Sequence, residues 1–354
     1  MEIASGVLYH FIGGFSSGSF YLPFKRVRVW AWESYWIVGG LFSWLIVPWL
    51  AAALTVPDFL DIIRATAGST LGWTYLFGLL WGIGGMTFGL SLRYLGMSLG
   101  MSVVLGTCSI FGALVPLVYR DVVGAPDGEG LRAMLASSAG EWLMAGIAAC
   151  VVGIAICGKA GMMKERALAA KGTAPEGNEF DLARGLAVAL VSGALSACFS
   201  FGIQAGQPMA QAAVAHGHDP LFQNNVVFVV VLWGGLTTNL LWCLYLNWRN
   251  RTFGDYRDRS APLLPNYLLS AAAGSIWFLQ FFFYGMGASK LGNGASSWIL
   301  HMSFIILVSN AWGLLLREWQ GTGSRTRAVV LLGIAAILLS VALTGYGDAQ
   351  LHAE

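Results

Sequence analysis

Charged side chains are scarce in this chain, and their scarcity excludes an ordinary soluble protein. Asp, Glu, Lys and Arg make up 11% of the 354 residues, whereas 56% are hydrophobic, and the mean hydropathy is +0.66. Soluble domains carry roughly a quarter charged residues. The net charge of +2 is also too small to indicate a nucleic-acid partner. The composition therefore predicts a protein that lies in a lipid bilayer.

Motifs for metal, redox and ATP chemistry are missing as well. The five cysteines all lie in apolar runs and show no C-x-x-C pair, so we interpret them as packing residues: Cys108, Cys150, Cys157, Cys198 and Cys243. The chain has no G-x-x-x-x-G-K-[ST] or H-E-x-x-H motif. We expect neither an ATP-driven pump nor an intramembrane protease, and we predict no enzyme, cofactor or metal site.

Ten apolar runs are long enough to cross a bilayer, which takes about 20 residues. They predict an all-α membrane protein with spans at 4–23, 35–55, 71–92, 97–118, 142–160, 184–206, 225–246, 265–287, 295–316 and 328–347. The segment before the first run carries no basic residue, so we expect that run to remain a helix rather than a cleaved signal peptide.

The basic residues predict the orientation of these spans. Sixteen of the 20 Lys and Arg residues fall on one side, and four do not: Arg64, Arg120, Arg132 and Lys290. Cytoplasmic loops carry the excess of basic residues, so both termini are predicted to be extracytoplasmic. The expected location is the bacterial inner membrane.

Weak internal similarity predicts two halves. Gly39-Gly40-Leu41 resembles Gly234-Gly235-Leu236, and Gly146-Ile147-Ala148-Ala149 recurs as Gly333-Ile334-Ala335-Ala336. Because each half would contain five helices, the halves would have opposite orientations in the membrane. We predict a first five-helix repeat at 1–160, a cytoplasmic linker at 161–182 and a second repeat at 183–354. Such inverted repeats are common in secondary transporters.

A few polar side chains lie inside the predicted spans, where each is costly enough to be a functional candidate. They are His10, Gln204, Asn239, Gln280, His301 and Asn310. The alternative is that they only link helices by hydrogen bonds. All 18 acidic residues are expected in loops, termini or helix ends. A coupled proton would then be carried by His10, by His301, or by Glu33, which lies among aromatic residues.

The tryptophans allow two interpretations. Five are predicted to lie deep in the membrane: Trp44, Trp81, Trp233, Trp277 and Trp298. Their rings can stack on the C–H face of a sugar while amides and hydroxyls bind its hydroxyl groups. Alternatively, they serve only in helix packing, and the sequence does not decide between the two.

Several long, Trp-rich runs resemble one known family. YLPFKRVRVWAWESYWIVGGLFSWLIVPW (21–49), WGIGGMTFGLSLRYLGMSLGM (81–101), LQFFFYGMG (279–287), SSWILHMSF (296–304) and LLLREW (314–319) look like the bacterial L-rhamnose–proton symporter family of the drug/metabolite transporter superfamily. The matching positions are Tyr21, Lys25, Trp32, Glu33, Trp44, Trp81, Arg93, Tyr94, Gln280, Tyr284, Trp298 and His301.

The resemblance implies ten helices in two inverted repeats and symport of L-rhamnose, or a related deoxysugar, with a cation that is most simply a proton. We predict that the sugar contacts Tyr21, Trp44, Trp81, Gln204, Gln280, Tyr284 and Trp298. The proton would be carried by His301, Glu33 or His10. The alternatives are an exporter of metabolites or drugs from the same superfamily and a non-transporting membrane sensor or enzyme.

Overall fold

The computed structural model describes residues 2–95, 97–124, 130–170, 181–316 and 319–351, and these ranges contain helices but no strand. The first half holds α1 (Glu2–Ser19), α2 (Tyr21–Phe24), α3 (Trp32–Leu41), a π-helix (Phe42–Ile46), α4 (Val47–Thr55), α5 (Phe59–Ala65), α6 (Gly68–Leu95), α7 (Met97–Val123), α8 (Leu131–Ala136) and α9 (Ser138–Ala169). The second half holds α10 (Leu182–Ala205), α11 (Gln207–Ala215), α12 (Asn224–Asn250), α13 (Leu263–Leu291), α14 (Gly294–Leu315) and α15 (Ser324–Leu351).

The predicted all-α membrane fold is confirmed. Among the described residues, nine helical segments are long and apolar enough to cross a membrane, and α3 to α4 counts as one of them. Helix α1 is not in this set, because Glu2, His10 and four serines lower its hydropathy. It nevertheless packs between α13 and α14 inside the bundle, so about ten spans agree with the structure.

Several helices are longer than the apolar runs that predicted them, and α9 and α15 extend furthest beyond theirs. Helix α9 covers Ser138–Ala169 and α15 covers Ser324–Leu351, because residues such as Ala, Leu, Lys and Arg continue a helix beyond the hydrocarbon. The extension corrects one expectation about the acidic residues: Asp348 is fully buried within α15. The predicted linker at 161–182 begins as part of α9, and its residues 171–180 lie outside the described residues.

The second span changes its helical pitch where it reaches the middle of the bundle. The N–H of Val47 donates to the carbonyl of Phe42, five residues back, which defines the π-helical turn. Pro48 follows, and it has no N–H to donate to the carbonyl of Trp44. The wider turn carries the Trp44 ring inward, where it is 1% exposed.

Hydrogen bonds between distant segments show which turns share an end of the bundle. At one end, the backbone of Arg28 exchanges two hydrogen bonds with the side chain of Asn266. We call this the basic end, because it carries Lys25, Arg26, Arg28, Arg249, Arg251, Arg257 and Arg259. At the opposite end, Asn225 donates to Thr55, and Asp58 accepts hydrogen bonds from His216 and His218.

The helix pairings occur in matched sets. Helix α1 packs on α13 and α14, and α10 packs on α6 and α7; likewise α3 packs on α13, and α12 packs on α6. Close glycine contacts follow the same scheme: Gly274 meets the backbone of Gly39, and Gly234 meets that of Gly78. A Cβ on Gly274 or Gly234 would collide with the backbone of the facing helix, so these small residues permit the helices to approach.

Candidate functional site

Two buried histidines from opposite ends of the chain meet inside the bundle. His10 of α1 is 0% exposed and His301 of α14 is 5% exposed. Their ring centroids lie 5.9 Å apart. Tyr284 of α13 completes the group, with its ring centroid 5.4 Å from that of His10 and 5.1 Å from that of His301. Three helices therefore bring the predicted proton carriers His10 and His301 together, and we call these three residues the histidine cluster.

The histidine cluster holds polar atoms that the described protein does not satisfy. Neither ring nitrogen of His10, nor Nδ1 of His301, has a hydrogen-bond partner among the described residues. Leaving a buried polar group unpaired costs about 1–3 kcal/mol. Imidazole nitrogens bind a proton or a hydroxyl group, and charges of the same sign at this separation repel. The pair is therefore suited to hold one additional proton or one polar substrate group.

Two glycines position the imidazoles. A Cβ on Gly287 of α13 would lie 2.7–2.9 Å from the ring of His10, and a Cβ on Gly13 of α1 would lie 3.0 Å from Cε1 of His301. Each histidine therefore rests on the bare backbone of a neighbouring helix. Together these two contacts hold the imidazole rings in position relative to each other.

A methyl group at Gly287 is expected to disturb transport more than it disturbs folding. Gly287→Ala pushes on the His10 ring, and overpacking of this kind costs about 1–3 kcal/mol. We expect strongly reduced uptake by a protein that still reaches the membrane. Gly89→Ala is the matched control, since a Cβ there meets nothing within 4 Å. Equal uptake by the two variants, measured at equal expression, would contradict the assigned positioning role.

Helix α13 also carries the neighbouring polar candidate, Gln280. It is 5% exposed and lies one helical turn before Tyr284, so both side chains project from one face of the helix. Trp298 of α14 lies beside Tyr284, with ring centroids 6.2 Å apart. The indole N–H of Trp298 donates to the carbonyl of Cys108 over 3.1 Å, which ties α14 to α7.

Large aromatic rings continue from this region toward the basic end. The centroid of Trp44 lies 6.2 Å from that of Trp81 and 5.1 Å from that of Trp277. Trp81 lies 5.0 Å from Phe199 and 5.7 Å from Phe281. We call these five residues the aromatic cluster. The edges and faces of these rings offer apolar surface. Gln280 immediately precedes Phe281, so its side chain places a polar amide where the aromatic cluster meets α13.

Other predicted site residues lie elsewhere. Tyr21 is 39% exposed at the basic end, where its hydroxyl lies 3.5 Å from that of Tyr35. Gln204 is exposed near the end of α10. Trp233, predicted to be deep, is 42% exposed and packs on Trp49. The structure thus separates these side chains from the histidine and aromatic clusters.

Glu33 is buried in a different setting, at the basic end. It is 4% exposed, and its Oε1 accepts hydrogen bonds from Asn250 and Thr252, each over 2.9 Å. The adjacent Ser34 donates to Asp255 over 2.7 Å. These contacts join the start of α3 to the turn after α12. The Glu33 carboxylate therefore has its hydrogen-bond donors at a contact between the two halves of the chain. It does not face the histidine cluster.

The histidine cluster is closed to solvent in this conformation. Every member of the histidine cluster is at most 5% exposed. Two apolar grooves of about 290 and 250 Å³ lie between α7 and α9 and between α4 and α13. The histidines line neither groove. A ligand would reach the buried side chains only after the helices separate at one end.

Comparison with known proteins covers almost the entire chain. Residues 1–350 match the family model described as L-rhamnose-proton symport protein (RhaT). A protein named L-rhamnose-proton symporter from Cronobacter sakazakii is 39% identical over 352 residues, covering 98% of each chain. Proteins of the same name from Klebsiella pneumoniae and Shigella flexneri are each 37% identical, covering 98% of this chain and 99% of theirs.

Proposed function

The chain belongs to the L-rhamnose-proton symport protein family, and from this premise we propose that it carries L-rhamnose, or a closely related deoxysugar, into the cell together with a proton. The observation that carries the proposal is identity of 37–39% over 98% of the chain to proteins named for that activity. The buried histidine cluster supports the proton-coupled part, because an imidazole nitrogen can bind and release a proton.

The sugar site, in this proposal, lies where Gln280 meets the aromatic cluster. L-Rhamnose has a methyl group at C6 and C–H faces that suit Trp44 and Trp81, while its hydroxyl groups need partners such as the Gln280 amide and the Tyr284 hydroxyl. Trp298 forms the wall of the proposed sugar site that faces α7. Tyr21 and Gln204 are left out, because both are exposed.

The coupled proton is proposed to bind the His10–His301 pair. Helix α14 carries both His301 and Trp298, and α13 carries both Gln280 and Tyr284. A proton on the pair therefore acts on the same two helices that hold the sugar. Glu33 is proposed instead to hold the basic end closed, since its hydrogen-bond donors are Asn250, the last residue of α12, and Thr252 in the turn that follows.

Alternating access is proposed to follow from two inverted repeats. Contacts between α9 and α15 support this: Gly146 meets Ser340 and Thr344, while Gly333 meets Gly153 and Cys157. Each contact maps onto the other when residues 187 positions apart are exchanged, as a two-fold relation between the halves requires. Repeats of this kind can rock around a central site and open it to either side in turn.

Competition for uptake tests the proposed substrate. Cells that express the chain should accumulate labelled L-rhamnose, and a protonophore should abolish the accumulation. Unlabelled L-mannose, which differs from L-rhamnose by a hydroxyl group at C6, should compete more weakly because the methyl site is apolar. Net efflux of rhamnose, or uptake that is insensitive to the protonophore, would defeat the proposed function.

The orientation is proposed to place the basic end in the cytoplasm of an inner-membrane protein, which leaves both termini outside. Gly254 lies in the turn after α12 at the basic end, and Gly68 starts α6 at the opposite end; a Cβ at either position meets nothing within 4 Å. In intact cells, Gly68→Cys should react with an impermeant thiol reagent and Gly254→Cys should not. The reverse pattern would invert the orientation. The unsubstituted chain measures the background of the native cysteines.

A further inference from the structure

A buried carboxylate lies near the opposite end of the bundle, and the proposed function does not use it. Asp348 of α15 is 0% exposed. Its Oδ1 accepts a 2.7 Å hydrogen bond from the hydroxyl of Ser296 on α14. Ser340 and Thr344 precede it at intervals of one turn and are also buried, at 0% and 1% exposure. Helix α15 thus presents a buried polar row toward α9 and α14.

Three helices surround Asp348 and carry titratable groups toward this end of the bundle. A Cβ on the adjacent Gly347 would lie 3.0 Å from the backbone oxygen of Ala139 and 3.0 Å from Cγ of Leu143, both on α9. Helices α1, α9 and α14 pack against α15. Their titratable groups toward this end are Glu2, Tyr9 and His10 on α1, Glu141 on α9 and His301 on α14, while α15 itself adds Tyr346. Lys290 pairs with Glu2.

Polar groups on α14 lead from Asp348 toward the histidine cluster. Ser296 contacts the carboxylate, Ser297 follows it, and His301 lies one turn after Ser297 on the same face. The Ser297 hydroxyl and Nδ1 of His301 are both buried, and neither has a hydrogen-bond partner among the described residues. Ionisable groups within a membrane-spanning region are costly, and they mark ion pathways in transporters.

We propose that Asp348, with Ser296, is the site at which the coupled proton enters from the opposite end of the bundle before it reaches His301. The inference rests on the proposed function in one respect, namely that the chain couples protons to sugar. The Asp348 carboxylate takes a proton from water and becomes neutral. The same proton then passes along the polar groups of α14 to an imidazole nitrogen of His301, and the carboxylate is charged again. No bond other than the O–H and N–H bonds of the proton forms or breaks.

A purely structural carboxylate would behave differently on substitution. Asn has nearly the same shape as Asp, and its amide oxygen can still accept the Ser296 hydrogen bond, but it cannot take up a proton. If Asp348 only ties α15 to α14, Asp348→Asn should therefore be tolerated. If Asp348 loads the proton, Asn should uncouple the sugar from the proton, whereas Asp348→Glu keeps a titratable group.

The test compares proton-driven accumulation with exchange in proteoliposomes. For Asp348→Asn we expect accumulation of labelled L-rhamnose under an imposed pH gradient to fall at least about tenfold, the factor that a gradient of one pH unit can support. Exchange of labelled for unlabelled sugar without a gradient should continue, and Asp348→Glu should recover part of the accumulation. Gradient-driven accumulation by Asp348→Asn at the wild-type level, or loss of exchange together with accumulation, would overturn the proposal.

Ser296→Ala supplies a second measurement that retains the carboxylate. The hydroxyl stabilises the charged form by a hydrogen bond, so its loss should move the pH midpoint of rhamnose uptake upward by about one unit. Ser137→Ala, which removes a hydroxyl from the turn before α9, should not move it. An unchanged midpoint in Ser296→Ala would contradict the inference. Absence of proton-dependent uptake by the unsubstituted chain would instead defeat the proposed function.

Discussion

His301→Gln is expected to abolish uphill accumulation of L-rhamnose while exchange of the sugar across the membrane continues. Glutamine fills a similar space and can hydrogen-bond, but it does not bind a proton at working pH. Since His301 faces His10 across 5.9 Å, its removal leaves one imidazole where the proposed site needs two. A gradient of one pH unit drives about tenfold accumulation in a one-to-one symporter, and we expect the ratio to fall to about one.

His216→Gln is the matched control for this prediction. His216 is 46% exposed and bonds Asp58 at the opposite end of the bundle, so we expect near-normal accumulation. His10→Gln should resemble His301→Gln, because the two rings share the site. Accumulation at the wild-type level in both buried-histidine variants would show that the coupled proton does not bind the histidine cluster. Glu33 would then be the next candidate proton carrier, and Glu33→Gln would be tested in the same accumulation and exchange assays.

Trp44→Ala is expected to weaken sugar binding by about 1–3 kcal/mol, roughly 5- to 150-fold in apparent affinity. The ring of Trp44 is 1% exposed and packs edge-on against Trp81 and Trp277, so it provides the central surface of the aromatic cluster. Trp44→Phe retains an aromatic face and should be milder. Trp298→Ala should also weaken binding, although part of its effect would come from the lost hydrogen bond to Cys108.

Trp233→Ala controls for the loss of a large ring from the membrane region. Trp233 is 42% exposed and packs on Trp49, outside the aromatic cluster. The half-saturation concentration for rhamnose uptake should therefore stay near that of the unsubstituted chain. If Trp44→Ala and Trp233→Ala change the affinity equally, the deep tryptophans serve packing and the sugar binds elsewhere.

Hydropathy predicted the helices well because a bilayer allows few alternatives. A membrane-spanning segment must satisfy its backbone groups internally, so a long apolar run becomes a helix. The same signal does not locate polar ends, which is why α15 was predicted to stop one residue before Asp348. The π-helix also had a sequence cause, Pro48, but proline alone does not specify which of several helix distortions follows.

Hydropathy could not predict which side chains face inward. His10 and His301 stood out in the sequence because histidine is rare in apolar helices, and the structure brings them together. Gln204 also stood out, because polar side chains in general are rare in apolar helices, yet it is exposed. Trp233 and Trp277 were indistinguishable in the sequence, whereas only Trp277 joins the aromatic cluster. The face that a residue occupies depends on crossings such as Gly39 with Gly274, which are tertiary contacts.

The most direct test of proton-coupled rhamnose transport is the proton movement that the sugar itself causes. The chain is reconstituted in weakly buffered proteoliposomes without a sodium gradient, and L-rhamnose is added outside while the external pH is recorded. We predict a prompt alkalinisation that requires the protein, saturates with rhamnose and disappears with a protonophore. Labelled rhamnose that enters without any alkalinisation, or only when sodium is supplied, would contradict the account.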